Sequence, residues 1–156
     1  MLVAISGASG FVGTRLVAKL LAGGNDVVVL TRDVEKARAA LRNSFSSGTI
    51  AFADPSRWSA AIVGCDGVVN LAGEPISTRW SPAIKAEIMA SRIKATKRIA
   101  DAIAACPAEK KPRALINASA IGFYGVSENR VFDESAPAGG DYLSKVCQAW
   151  ESTARE

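Results

Sequence analysis

The chain has 156 residues, 49% of them hydrophobic and 22% charged, with a formal net charge of +4 and no histidine. That size and composition exclude a disordered chain and give one domain able to bury a sizeable core without disulfide staples. The absence of histidine excludes histidine-based triads, histidine metal ligands and a histidine general base, and the mild positive charge suits anionic small molecules as readily as nucleic acid.

In chain order, residues 2–6 form a short apolar run that ends at glycines and predict a buried strand. Phe11, Val12, Leu16, Val17, Leu20 and Leu21 recur at helical spacing, which predicts a helix over 11–22 stopped by Gly23 and Gly24. A second strand is expected over 26–31, then a short helix over 34–41 capped by Asp33. Residues 49–53 make a weaker strand, and Pro55 opens a short helix that runs to about residue 63. A fourth strand covers 67–71. The longest helical pattern covers 82–106, with Pro82 in its first turn and Pro107 beyond its end. Residues 114–118 form a fifth strand, a Gly- and Pro-containing loop covers 119–140, and Asp141 caps a last helix containing Tyr142, Val146 and Trp150. Strands alternating with helices in this way predict an α/β, Rossmann-type doubly wound parallel sheet with helices on both faces. The whole of 1–156 reads as that one dinucleotide-binding domain. Its helical pattern is still running at the last residue, so the chain is expected to be interrupted.

The turn Gly7-Ala8-Ser9-Gly10-Phe11-Val12-Gly13 joins the first strand to the first helix. Glycines are needed there where the backbone bends sharply or a phosphate approaches, and the helix N-terminus offers free N–H groups to a pyrophosphate. Gly13 lets the helix pack closely. The spacing is GxxGxxG rather than the commoner GxGxxG. The second strand ends in Thr31-Arg32-Asp33. An acidic residue at this tip accepts from the adenosine 2′-hydroxyl, whereas arginine favours a 2′-phosphate. Arg32 stands first, so NADP(H) is expected ahead of NAD(H); the alternative is a surface arginine beside a helix cap.

Five segments recur in order: GASGFVG, VVNLAGEPISTRW, SRI at 91–93, SAIGFYG at 119–125 and DYLSKVCQAWE at 141–151. Together they resemble an atypical branch of the extended short-chain dehydrogenase/reductase superfamily, the NAD-dependent epimerase/dehydratase-like family, which has plastid and cell-division-inhibitor-like members. The resemblance covers nearly the whole chain. It implies that Leu71, Ala72 and Gly73 line the cofactor, and that Ser119 is the serine that hydrogen-bonds the substrate. It also implies a tyrosine and lysine acid/base pair on the last helix and a C-terminal substrate-binding region that this sequence lacks. The usual spacing is Tyr-x-x-x-Lys. Here Tyr142-Leu143-Ser144-Lys145 is one residue short, and Val146 holds the usual lysine position. Lys145 is thereby rotated by about 100° from that slot. The family's helical asparagine is replaced by Arg92. Tyr142 is open between a catalytic acid and a packing residue, and Lys145 between a catalytic and a solvated lysine.

Tyr124 reads as an aromatic packed under its loop or a second phenol. Arg79 and Trp80 read as a substrate clamp, with Trp80 buried under the long helix as the alternative. The basic stretch 79–98 reads as a solvated helix face, since no aromatic residues interleave it to stack bases, and no nucleic-acid partner is expected. Cys65, Cys106 and Cys147 are odd in number and lack a CxxC, so they read as structural thiols in a reducing compartment, cytoplasmic or plastid stroma. No apolar run reaches the ~18–20 residues of a membrane span. Two functions follow: an NADP(H)-binding epimerase/dehydratase-like oxidoreductase acting on an unknown small molecule, or a non-catalytic dinucleotide-sensing interaction protein. A homodimer through the fourth and fifth helices is implied by the superfamily resemblance.

Overall fold

The computed structural model describes residues 1–43 and 48–156. Its strands are β1 (Leu2–Ser6), β2 (Asp26–Leu30), β3 (Ile50–Ala53), β4 (Gly67–Asn70) and β5 (Leu115–Asn117). Its helices are α1 (Phe11–Ala22), α2 (Val34–Leu41), α3 (Trp58–Ile62), α4 (Pro82–Ala104) and α5 (Tyr142–Arg155). The strands pair in parallel in the order β3-β2-β1-β4-β5. The chain winds outward from β1 to β3, then crosses back to β4 and β5. The strand order therefore reverses between β1 and β4, where doubly wound sheets hold ligands outside the strands' carboxyl ends.

Side-chain alternation along each strand divides the core between the two faces. Val3 and Ile5 of β1, Val27 and Val29 of β2 and Val69 of β4 meet Val17 and Leu21 of α1 and Ala37 and Leu41 of α2. Ala4, Val28, Leu30 and Val68 meet Trp58 and Ile62 of α3 and Ile99 and Ala102 of α4. Ile5, Leu21, Leu41, Ile62 and Ile99 are fully buried, each contributing about 1.5–3 kcal/mol from burial. Cys65, Cys106 and Cys147 are free and buried, and burial pushes the Cys65 thiol up to about 11.

The expected elements are present, with shifted ends. Thr31, Leu71 and Ala118 lie just beyond their strands, yet each donates its N–H to a neighbouring strand, at 2.9–3.0 Å. Thus β2, β4 and β5 stop one residue before the ends expected at 31, 71 and 118. Ser119 is likewise two residues past β5. The helix expected from Pro55 is a 3₁₀ turn over Pro55–Arg57 followed by α3. It ends before Gly64, whose φ of +81° reverses the chain. At the far end of α4, Ala105 and Cys106 form a closing turn ahead of Pro107. The caps follow the sequence: Asp33 accepts from Lys36 N–H (2.9 Å) and Asp141 from Ser144 N–H (2.8 Å). No helix of the described residues is long and apolar enough to cross a membrane.

Candidate functional site

The turn from β1 to α1 is built from backbone. Gly7 has φ +71°, and a Cβ there would fall 2.6 Å from the Leu71 carbonyl carbon. Only glycine brings this turn so close to the chain leaving β4. A Cβ on Gly13 would overlap the Gly7 carbonyl oxygen and the Ala8 backbone, so Gly13 lets the first turn of α1 sit on the loop itself. Gly10 N–H donates to Gly7 O (3.0 Å) and closes the turn. No side chain caps α1, and its first turn holds no acid. Ser9 and Gly10 are exposed, as are Phe11 (78%) and Val12 (59%), whereas Ala8 is buried. The result is an open helix N-terminus with a favourable dipole for an anion.

Two loops flank this turn. Beyond β2, Asp33 Oδ1 caps α2, and the exposed Arg32 is the basic group at the tip. Arg32 Nη2 pairs with Glu74 Oε1 at 3.0 Å. Beyond β4, Leu71 and Ala72 are half-buried and Gly73 is exposed. A Cβ on Gly73 would lie 2.9 Å from Arg92 Cζ. Arg92 Nη1 donates to the carbonyls of Glu74 and Ile88, both at 3.0 Å, and its guanidinium lies over the Trp150 ring at 5.2 Å. Burial draws its pKa down from the usual arginine value, with Cys147, Tyr142 and Glu74 acting the other way. Arg92 is thus a strut that fixes the β4–α4 loop.

Of the three candidate catalytic side chains, Ser119 and Tyr142 take separate partners. Ser119 Oγ donates to Glu151 Oε1 on α5 at 2.6 Å. The Tyr142 hydroxyl donates to the Lys85 carbonyl of α4 at 2.5 Å. Desolvation raises its pKa above the ordinary 10.0, with the Arg92 charge opposing. Trp80 meets the Tyr142 ring edge-on (centroids 5.5 Å, 68°), and Lys85 Nζ lies 5.2 Å over the same ring. Trp80 is 38% exposed, so it is not buried under α4. Lys145 is exposed on α5, and Arg79 is exposed as well. Tyr124 stacks on Phe132 (5.6 Å, 10°) inside its loop. Ser144 Oγ ties the two ends of that loop by donating to Phe123 O (2.8 Å) or Gly139 O (2.6 Å).

Beneath the crevice lies a network that periodicity does not reveal. Ser6, Asn70 and Asn117 stand side by side at the ends of β1, β4 and β5. Ser6 Oγ donates to Asn70 Oδ1 (2.5 Å), and Asn70 Nδ2 donates to Thr96 Oγ1 (2.8 Å) and Asn117 Oδ1 (2.6 Å). Trp150 Nε1 donates to Thr96 Oγ1 (2.9 Å) and brings α5 into the same set. Ala72 N–H donates to Asn70 Oδ1 (3.3 Å), so the network also holds the loop that passes Gly7. The only sequence signal for it is an asparagine at the end of an apolar strand run.

The model of the NAD dependent epimerase/dehydratase family matches residues 3–154. An Arabidopsis thaliana protein named epimerase family protein SDR39U1 homolog, chloroplastic, is 49% identical over 154 residues, covering 99% of this chain and 44% of that protein. An epimerase family protein of Mycobacterium tuberculosis is 37% identical, covering 98% of this chain and 48% of its own length. The chain thus spans about half the length of these relatives. Among solved structures, the dTDP-glucose 4,6-dehydratase DesIV of Streptomyces venezuelae, with NAD and TYD bound, is similar in fold. The TM-score is 0.80 at 20% identity, over 99% of this chain and 51% of that one.

Proposed function

Because the chain belongs to the NAD dependent epimerase/dehydratase family, we propose that it is the dinucleotide-binding half of an epimerase/dehydratase-like oxidoreductase that uses NADP(H) ahead of NAD(H). The observation that carries this reading is the glycine turn: a positive-φ Gly7 against Leu71, an uncapped α1 and a Gly13 that admits no side chain. Residues 7–13 would hold the pyrophosphate through backbone N–H groups, Leu71, Ala72 and Gly73 would border the nicotinamide half, and Arg32 would meet the adenosine 2′ position. The cofactor supplies hydride transfer when bound. Ser119 would hydrogen-bond the substrate oxygen, and Tyr142 with Lys145 would form an atypical acid/base pair. The substrate is a small molecule chosen by a region outside these residues.

A second reading, a dinucleotide-sensing interaction protein without turnover, is supported by the Tyr142 phenol. It is engaged with Lys85 and its pKa moves away from neutrality, whereas a catalytic phenol needs a pKa lowered toward the working pH. The half-buried Met89 and Ile93 on α4 support the homodimer implied by the superfamily, and the chloroplastic relative supports a plastid location. Titration with NADPH and NADH, followed by fluorescence and thermal shift, tests the reading. Saturable binding with NADPH tighter is expected; no binding of either to the folded chain overturns it.

A further inference from the structure

We propose that Glu74 sets the nucleotide preference of this site by competing with the adenosine 2′ substituent for Arg32, an inference that rests on dinucleotide binding at the glycine turn. In the sheet, β1 lies between β2 and β4. Arg32 stands two residues past β2 and Glu74 four past β4. Their 3.0 Å ion pair therefore bridges the carboxyl end of β1, the edge from which the glycine turn departs.

The two partners are held very differently. Arg32 has a side chain 79% exposed, free to re-aim. Glu74 is fixed from both sides of its backbone. Its N–H donates to Ser91 Oγ (3.2 Å), and its carbonyl accepts from Arg92 Nη1 (3.0 Å). Ser91 also donates to the Ile88 carbonyl (3.1 Å) and Arg92 to the same carbonyl (3.0 Å), so both belong firmly to α4. The SRI stretch thus positions Glu74, and the arginine comes to it. One oxygen of the nearby acid Asp33 is engaged in the α2 cap.

A 2′-phosphate carries about −1.5 to −2 charges at pH 7 and can take a guanidinium in two hydrogen bonds. A two-bond grip that uses Nη2 draws Arg32 off Glu74. A 2′-hydroxyl makes no such demand. Glu74 thus weakens NADP(H) selectively, while Arg32 favours it, and the balance of the pair sets the preference.

The test titrates NADPH and NADH against the unaltered chain, Glu74→Gln, Arg32→Gln and the double variant. Exposed pairs of this kind are modest, so Glu74→Gln is expected to tighten NADPH by about threefold to fivefold and to leave NADH nearly unchanged. In the Arg32→Gln background that gain should vanish. Equal shifts for both nucleotides, no shift at all, or a gain that survives in the double variant would overturn the competition while leaving dinucleotide binding intact. Failure of the unaltered chain to bind either nucleotide would overturn the dinucleotide reading, and this inference with it.

Discussion

The two sides of the crevice are built on opposite principles. At the β1–α1 turn the chain presents backbone: Gly7, Gly10 and Gly13 remove side chains, and no cap covers the helix end. At the β5–α5 side the chain commits its side chains. Ser119 is bonded to Glu151, Tyr142 to Lys85, and Asn117 to the Asn70 network. The first surface leaves backbone groups at the helix end without a side-chain cap from Gly10. The second satisfies its own groups internally and needs rearrangement before it can meet a ligand. The proposed binding and the proposed turnover therefore rest on separate surfaces and can be tested apart.

The comparison breaks most severely at the turn. Gly13→Val should cost about 3 kcal/mol, since its Cβ overlaps backbone that cannot step aside, and should abolish nucleotide binding. Urea unfolding and NADPH titration check the two effects separately. The second largest effect should come from Asn70→Ala. Ser6, Thr96 and Asn117 would lose buried partners, at about 2 kcal/mol in total. Nucleotide binding should weaken far less than in Gly13→Val, because the glycine turn keeps its backbone. If Asn70→Ala abolished binding without lowering stability, the network would belong to the site rather than beneath it.

The backbone side is also the side that sequence makes legible. A glycine acts through what it lacks, so its spacing after an apolar run states its purpose without knowledge of any partner. The strands and caps are legible for a similar reason: Val27 and Val29 facing one way and Val28 and Leu30 the other follow from alternation alone. Strand ends are less so, because Thr31, Leu71 and Ala118 keep one backbone bond to a neighbouring strand just past the strands' last paired residues. The side-chain half is poorly legible. Asn70 meets partners 26 and 47 residues away, and Tyr142 one 57 away. No local pattern encodes such a distance. The Arg92 departure reads as damage to a catalytic set, yet the guanidinium holds Glu74 in place. A long side chain can take up structural work that a short one at the same position cannot.

The smallest expected effect sharpens the comparison on the committed side. Tyr142→Phe removes one partly exposed hydrogen bond to the Lys85 carbonyl, so it should cost no more than about 1 kcal/mol at pH 7. The phenol's pKa is raised in the folded chain, so the folded state holds that proton more tightly than the unfolded one. Its contribution is therefore fully present below the ordinary value of 10.0 and is lost as pH rises through the folded value. Urea unfolding from neutral to alkaline pH should show a decline in the unaltered chain that is reduced in Tyr142→Phe. The same variant separates the two functions. In a protein of this family that carries the C-terminal region, turnover indifferent to the change would leave Tyr142 as a packing residue. A loss of about a hundredfold or more, the scale of acid–base catalysis, would require the phenol to leave Lys85 and turn toward Ser119 during the reaction.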